Sequence, residues 1–326
     1  MSSKAVEQIK GLTVGHARLG MRGGVTGSVR QEVHDGDTVN VQALGNFGVR
    51  FLATDTPEIS FQLPGQTRFT GLGSPEWDDF LKDPLSTRWG AFKQPLEPGL
   101  LRNIRSRSGP GAGRNHYEHA AAAENALEDM VTADMRILGQ DELSFRFFLV
   151  FAGEVMDRYG RFLCYINRDQ EDENHPEPRP LSYNERMLQT GLAAPYFIWP
   201  NLNPFRKQPS LPEAVFPPGK AKTVADKDPS LRRAREWVRQ ARANKAGIYR
   251  ADNPLRFMPF ELRFLSRRMP PDRWVIDLSD DSNLLIRPQG YYRIKNPEDR
   301  LFIPAEYVPL FIEAGWHRQP RPRIPD

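Results

Sequence analysis

The chain sets out three strand candidates in succession, then a long stretch broken by proline and glycine, then a helix and two more strands. Residues 25–34 and 38–44 are rich in Val and Thr and flank Asp35-Gly36, a dipeptide suited to tight hairpins. Gly48 to Thr54 is the third candidate; Pro57, with no N–H to donate, stops its ladder. A helix is expected over 114–131, where Ala120 to Ala123 has high intrinsic propensity and Leu127, Met130 and Val131 extend an apolar face. Residues 144–155 read as a strand, and Arg161 to Asn167 as its hairpin partner across the turn Asp157–Gly160. Five short strands with a helix between the third and fourth predict an α+β fold, a five-stranded OB-type β-barrel with packed helices.

Two segments lie outside that frame. Residues 59–113 carry Pro64, Pro75, Pro84, Pro95, Pro98 and Pro110 among many glycines. Connections rarely exceed about 12–15 residues, so this is an inserted segment, read as a lid or a small subdomain. Ser182-Tyr183-Asn184-Glu185 matches a capping box and opens a helix that should end at Gly191. Residues 201–227 look like a linker, and Asp228-Pro229 opens another helix, with Leu231, Ala234, Val238 and Ala241 on one face. Beyond it, Phe260 to Arg267 and Pro304 to Ala314 are helix candidates, and Trp274–Leu278, Leu284–Ile286 and Tyr291–Ile294 are strand candidates. The expected organisation is a principal domain over 1–250 and a small α/β C-terminal extension over 251–326.

The 326 residues carry 45 Lys and Arg against 41 Asp and Glu, a net charge of +4, which suits an anionic partner without demanding one. The single cysteine, Cys164, excludes an intrachain disulfide and fits a reducing compartment. Met1 to Gln8 has no apolar stretch of signal-peptide length, and no run reaches the roughly 18–20 apolar residues of a membrane span. The expectation is a cytoplasmic protein with no membrane partner.

The chemistry lies in three short blocks. Asp35, Asp37, Asp55 and Glu58 supply carboxylates, which hold hard cations. Arg50 and Arg161 supply guanidinium forks, which hold phosphates in two-point contact. A site with both is suited to phosphodiester cleavage. The blocks Asp35-Gly36-Asp37-Thr38-Val39, Val49-Arg50-Phe51-Leu52-Ala53-Thr54-Asp55-Thr56-Pro57-Glu58 and Asp157-Arg158-Tyr159-Gly160-Arg161 resemble the staphylococcal-nuclease-like (thermonuclease) family. The likeness continues through Asn184-Glu185 to Gly191-Leu192-Ala193 and the basic helix from Pro229, so it covers about 25–58 and 114–250.

The resemblance implies a Ca²⁺-dependent nuclease acting on DNA or RNA and leaving a 3′-phosphate and a free 5′-hydroxyl. It implies that Asp37, Asp55 and the Thr56 carbonyl bind Ca²⁺, with Asp35 just outside the direct ligands. Glu58 would orient or deprotonate the attacking water, and Arg50 and Arg161 would grip the scissile phosphate. Tyr159 and Arg158 would contact substrate. Phe197 and Trp199 stand where the family has two nucleotide-flanking tyrosines, and core packing is an equal alternative for Phe197. The arginines of 229–245 read first as a solvated helix face. His116 and His119, three apart, lack the spacing of a zinc-protease helix. Asp277, Asp280 and Asp281 read as turn residues.

The insert is rooted directly after Glu58, so access to the site is expected to be gated by the insert or by the extension, either of which is also expected to receive a regulatory protein partner. Two other classes fit the same residues: a non-catalytic OB-fold module that binds nucleic acid, and a partner-activated nuclease effector.

Overall fold

A computed structural model describes residues 4–9, 12–22, 24–33, 40–157, 159–202 and 210–320. Helices and strands both contribute, so the class is α+β, and among the described residues every sheet is open, with a linear strand order. No described helix is long and apolar enough to cross a membrane. The chain divides into two compact units: residues 1–51 with 151–164, and residues 52–150 with 165–326.

The first unit is built from short strands. Val6–Ile9 pairs with Leu12–Gly15, and Ala17–Leu19 with Val41–Ala43, both antiparallel. The hairpin expected across Asp35-Gly36 is corrected in part. Residues 34–39, with Asp35 and Asp37, lie outside the described residues, but the strand that follows pairs with Ala17–Leu19 instead of the 25–34 run. Within that run the chain makes a one-turn helix, Val29–Glu32. Its signal is Ser28 with Gln31 three residues on: the Ser28 N–H donates to Gln31 Oε1 at 2.9 Å.

Val49–Phe51 runs parallel to Phe162–Arg168, with Val49 opposite Phe162, Arg50 opposite Leu163 and Phe51 opposite Cys164. Phe162–Arg168 is the middle strand of three, with Phe147–Met156 on its other side. Parallel neighbours need a long crossover, and here it spans the whole insert and the long helix.

The strand expected over 48–54 is two strands. The chain turns at Ala53, whose φ of 64° lies in the left-handed region. Ala53–Asp55 then joins a different sheet, antiparallel to Ala194–Ile198. Asn184 supports the break: its Nδ2 donates to the Leu52 carbonyl and its Oδ1 accepts from the Ile166 N–H, each at 3.0 Å. Asn184 is fully buried, so those backbone groups would otherwise lie unsatisfied away from water.

In the second unit a four-stranded sheet runs Trp274–Asp277, Arg300–Ile303, Ala194–Ile198, Ala53–Asp55. Two of its strands come from the C-terminal extension. The insert is folded too. Ser60–Gln62 pairs with Phe69–Gly71, and the helices Pro75–Lys82 and Pro98–Arg105 follow. Trp77, Phe80, Leu81, Leu100 and Ile104 of the insert are fully buried in one cluster with Phe257, Leu262, Leu265, Val275 and Phe302 of the extension. Each such side chain contributes about 1.5–3 kcal/mol, so insert and extension form a single core.

The long helix, Ala112–Leu138, starts earlier and ends later than its alanine run suggests. Asp78 sits at its N-terminus, accepting from the Gly111 and Gly113 N–H groups at 3.0 and 3.1 Å. The Ser182–Glu185 box forms, and Gly191 follows its helix with φ 72°. Asp228 caps Pro229–Ala243 by accepting from Ser230 and Leu231 N–H. Two expectations are corrected. Residues 221–227 are a helix packed by Ala221 and Ala225, not a linker, and 288–293 are 3₁₀ helix where a strand was expected from Tyr291.

Candidate functional site

The two arginines belong to the first unit. Strand alternation places Arg50 and Gly48 on one face, and Arg161 precedes Phe162, the residue opposite Val49. Arg161 thus lies beside Gly48, where a Cβ would meet its Cγ at 3.3 Å. Arg50 and Arg161 therefore share a face of adjacent parallel strands. The turn before Arg161 fixes it. Asp157 Oδ1 accepts from the Tyr159 and Arg161 N–H groups, and its Oδ2 accepts from Arg161 Nε at 2.9 Å and lies 2.8 Å from Nη2. Gly160, at φ 79°, lets the turn close. The Arg161 guanidinium also lies 5.5 Å from the Tyr159 ring centroid, and Tyr159 is exposed. Arg158 lies outside the described residues.

Asp55, Thr56 and Glu58 belong to the second unit. Asp55 ends the strand Ala53–Asp55 and is buried; Thr56 is half-buried and Pro57 buried. Between Asp55 and Glu58 lies the guanidinium of Arg263, from the helix Pro259–Ser266 of the extension. Its Nη1 donates to Asp55 Oδ1 at 2.9 Å and to Glu58 Oε1 at 2.7 Å, and its Nη2 donates to Asp55 Oδ2 at 2.6 Å. This is a two-point fork with a third contact, in a setting where the Arg263 side chain is 11% exposed and that of Asp55 3%. Burial works against the Arg263 charge, but Asp55 and Glu58 outweigh it and raise its pKa, so the group stays charged.

His116, on the long helix, holds Glu58 from the other side: the Glu58 N–H donates to His116 Nε2 at 2.9 Å. An accepting Nε2 puts the ring proton on Nδ1. Burial first, then the charges of His119 and Arg263, push the His116 pKa down to about 3, so the ring is neutral. His119 Nε2 lies 2.8 Å from the Asn253 carbonyl, consistent with a structural and not a metal role for the pair.

The donor set can be tested against Ca²⁺, which requires about 6–8 oxygen ligands. Both Asp55 oxygens and one of Glu58 already accept from Arg263. No group of three His, Cys, Asp or Glu able to hold a metal occurs among the described residues. In this arrangement Asp55 and Glu58 fit a guanidinium and do not fit a calcium ion.

The placement of Phe197 and Trp199 corrects their expected contact with substrate. Both are 1% exposed. Phe197 lies in the sheet opposite Leu301, and Trp199 packs edge-on against Tyr307 and Phe311 while its Nε1 donates to the Ala214 carbonyl at 3.0 Å. A base has no path to stack on a ring enclosed by its own core. The basic helix is partly structural: Arg235 is buried against Asp226 and Asp299, and Arg242 pairs with the buried Glu298. Asp277, Asp280 and Asp281 serve turns and a helix start, accepting from Ser279, Ser282 and Thr223.

Arg263 and His116 are the site residues that sequence reasoning did not assign. The available signal for Arg263 was its setting, Leu262-Arg263-Phe264-Leu265, since an arginine inside an apolar helical run needs a buried anion. Nothing local points to Asp55 as that anion. No family model, no curated protein and no solved structure matches this chain.

Proposed function

We propose that this chain is a phosphodiesterase that hydrolyses DNA or RNA to 3′-phosphate products, built on an OB-type barrel of the staphylococcal-nuclease-like kind and working in the cytoplasm. The observation that carries the reading is the close placement of two carboxylates, Asp55 and Glu58, at the end of one strand. The shared face of Arg50 and Arg161, with Arg161 oriented by Asp157, supports it.

In this reading the chain's own residues divide the work. Arg50 and Arg161 hold the phosphate by paired N–H donors and stabilise the charge that grows on its equatorial oxygens. Glu58, with its backbone pinned by His116, orients or deprotonates the water once its carboxylate is free of Arg263. Calcium is the cofactor the resemblance implies, and when bound it would add positive charge at the phosphate. The arrangement around Asp55 does not fit it, and no step is assigned to it.

The test is cleavage of labelled single- and double-stranded DNA and RNA across a Ca²⁺ titration, with EDTA as control. Cleavage in wild type is expected to fall by roughly 10²–10³-fold in Arg50→Ala and in Arg161→Ala, and strongly in Glu58→Gln, with folding retained. The Arg263 contacts favour a second reading, a nucleic-acid-binding module in which the Asp55–Arg263 pair is purely structural. Retention of nucleic acid without cleavage in Ca²⁺, Mg²⁺ or Mn²⁺ would select it.

A further inference from the structure

We propose that the turn joining the helices Pro98–Arg105 and Ala112–Leu138 is a docking surface for single-stranded nucleic acid, formed by Arg102, Arg105, Arg114, Arg256 and Tyr117. The inference rests on the reading of the chain as one that acts on DNA or RNA, and none of these residues lies in the three blocks that carry the family resemblance. Arg102 and Arg105 stand three apart on a helix whose Leu100 and Ile104 are buried, so both arginines are exposed on its other side. Arg114 is exposed in the first turn of the next helix. Arg256 reaches the same turn from the extension, its Nη1 donating to the Pro110 carbonyl at 2.9 Å. Arg107 is held by Glu261, but among the described residues the other four arginines have no carboxylate partner. The nearby carboxylates are engaged: Asp78 accepts from the Gly111 and Gly113 N–H groups, and Glu118 accepts from Asn253 Nδ2 at 3.0 Å. Guanidinium groups gathered around one turn repel each other until an anion lies among them, and phosphates are the anions their forks fit.

Tyr117 selects the kind of polyanion. It follows Arg114 by about one helical turn and is 40% exposed. Its ring lies against Gly73, where a Cβ would meet Cδ1 at 3.1 Å, so a residue without a side chain makes room for it. Cationic groups that track phosphates beside a ring that stacks on an unpaired base are the parts of a single-strand surface. An acidic peptide would use the guanidinium groups and leave the ring idle, and a duplex keeps its base faces stacked. The surface also adjoins the proposed chemistry. The opposite side of the same helical turn carries His116, whose Nε2 accepts from the Glu58 N–H. A strand held by Arg114 and Tyr117 is therefore anchored on the segment that positions Glu58.

The test is fluorescence anisotropy of labelled single- and double-stranded oligonucleotides with the full chain, in EDTA and across a range of NaCl concentrations. Arg102→Ala/Arg105→Ala is expected to weaken single-strand binding and to lower the slope of log affinity against log salt by about 1.4, at about 0.7 per phosphate contact. Arg232→Ala/Arg233→Ala removes the same charge from exposed positions of the helix Pro229–Ala243 and is expected to leave that slope unchanged. Tyr117→Ala should weaken single-strand binding roughly 5–150-fold and duplex binding less. Tyr117→Phe keeps the ring and should bind as wild type does. If Tyr117→Ala does not fold, the exposed arginine variants decide. An unchanged slope in Arg102→Ala/Arg105→Ala overturns the proposal, as do equal losses in the two double variants or a wild type that binds no oligonucleotide. A lowered slope with single-strand binding intact in Tyr117→Ala means that any polyanion docks there, and it overturns the single-strand assignment. An unchanged slope with cleavage by wild type removes the surface and leaves the nuclease reading standing. A lowered slope with no cleavage by wild type keeps the surface and removes the nuclease reading.

Discussion

Glu261 is the residue through which insert and extension are most heavily committed to each other, and Glu261→Gln tests that commitment. The carboxylate is 1% exposed. Its Oε1 accepts from Arg107 Nη2 at 2.9 Å and from the Tyr291 hydroxyl at 2.5 Å; its Oε2 accepts from Arg107 Nη1 at 2.6 Å and from the Met258 N–H at 2.8 Å. Glutamine keeps the shape but turns one oxygen into a donor. On the Oε2 side that donor faces Arg107 Nη1 and the Met258 N–H; on the Oε1 side the Tyr291 hydroxyl can turn to accept it, so at least one bond to Arg107 is lost in either orientation, worth about 1.5–3 kcal/mol. Arg107 is then left without its anion, and breaking one side of a buried pair costs about 3–5 kcal/mol in all. The Arg107 side chain is 27% exposed and recovers part of its hydration, which favours the lower end, about 3 kcal/mol. Urea unfolding at neutral pH, followed by tryptophan fluorescence, reads it directly. A loss under about 1 kcal/mol would refute the claim that this contact joins the two segments. Burial pushes the Glu261 carboxyl up, but Arg107 and the hydrogen bonds from Arg107 and Tyr291 hold it below the usual range. Its contribution is therefore present above the unfolded carboxyl pKa and is lost as pH falls through the folded value.

Other predictions address separate contacts. His116 titrates near 3 in the fold against 6.5 ordinarily, so between those values the unfolded chain binds more protons. Stability should fall as pH drops from about 6.5 towards 3, by up to roughly 1 kcal/mol per pH unit from this group, and His116→Gln should narrow the gap between urea midpoints at pH 7 and pH 5. Gly247→Ala should cost about 2–4 kcal/mol, since φ is 55° and the new Cβ would lie 2.1 Å from the Gly191 carbonyl oxygen; an unchanged urea midpoint would contradict that packing. Asp157→Ala frees the Arg161 guanidinium and should lower cleavage by ~10–10²-fold, with circular dichroism unchanged.

The features legible in the sequence were those whose partners lie close along the chain. The Ser182–Glu185 box, the Asp228 cap and the turn closed by Asp157 and Gly160 join residues at most four apart. The positive φ of Ala53 has no such signature, because alanine gives no hint of a left-handed turn; Asn184, 132 residues away from the Leu52 carbonyl it meets, supports the break. The same applies to Arg263, which is separated from Asp55 by 208 residues. Asp55 and Glu58 stand out because they lie with Arg50 in the block that carries the family resemblance, whereas their guanidinium partner reads as an ordinary helix residue. Phe197 and Trp199 misled because aromatic side chains serve base stacking and core packing equally well, and only the enclosing strands and helix distinguish the two.

The core that insert and extension share also has a consequence for synthesis on the ribosome. Phe61, Trp77 and Leu100 find part of their covering in Phe257, Leu262 and Phe302. At about 5–20 residues per second, roughly 10–40 s pass between the synthesis of Phe61 and that of Phe257. For that interval the insert is an apolar segment waiting for a surface that has not yet been made. The counter-charge for Asp55 arrives in the same late stretch of chain, so the acidic residue is made long before its occupant.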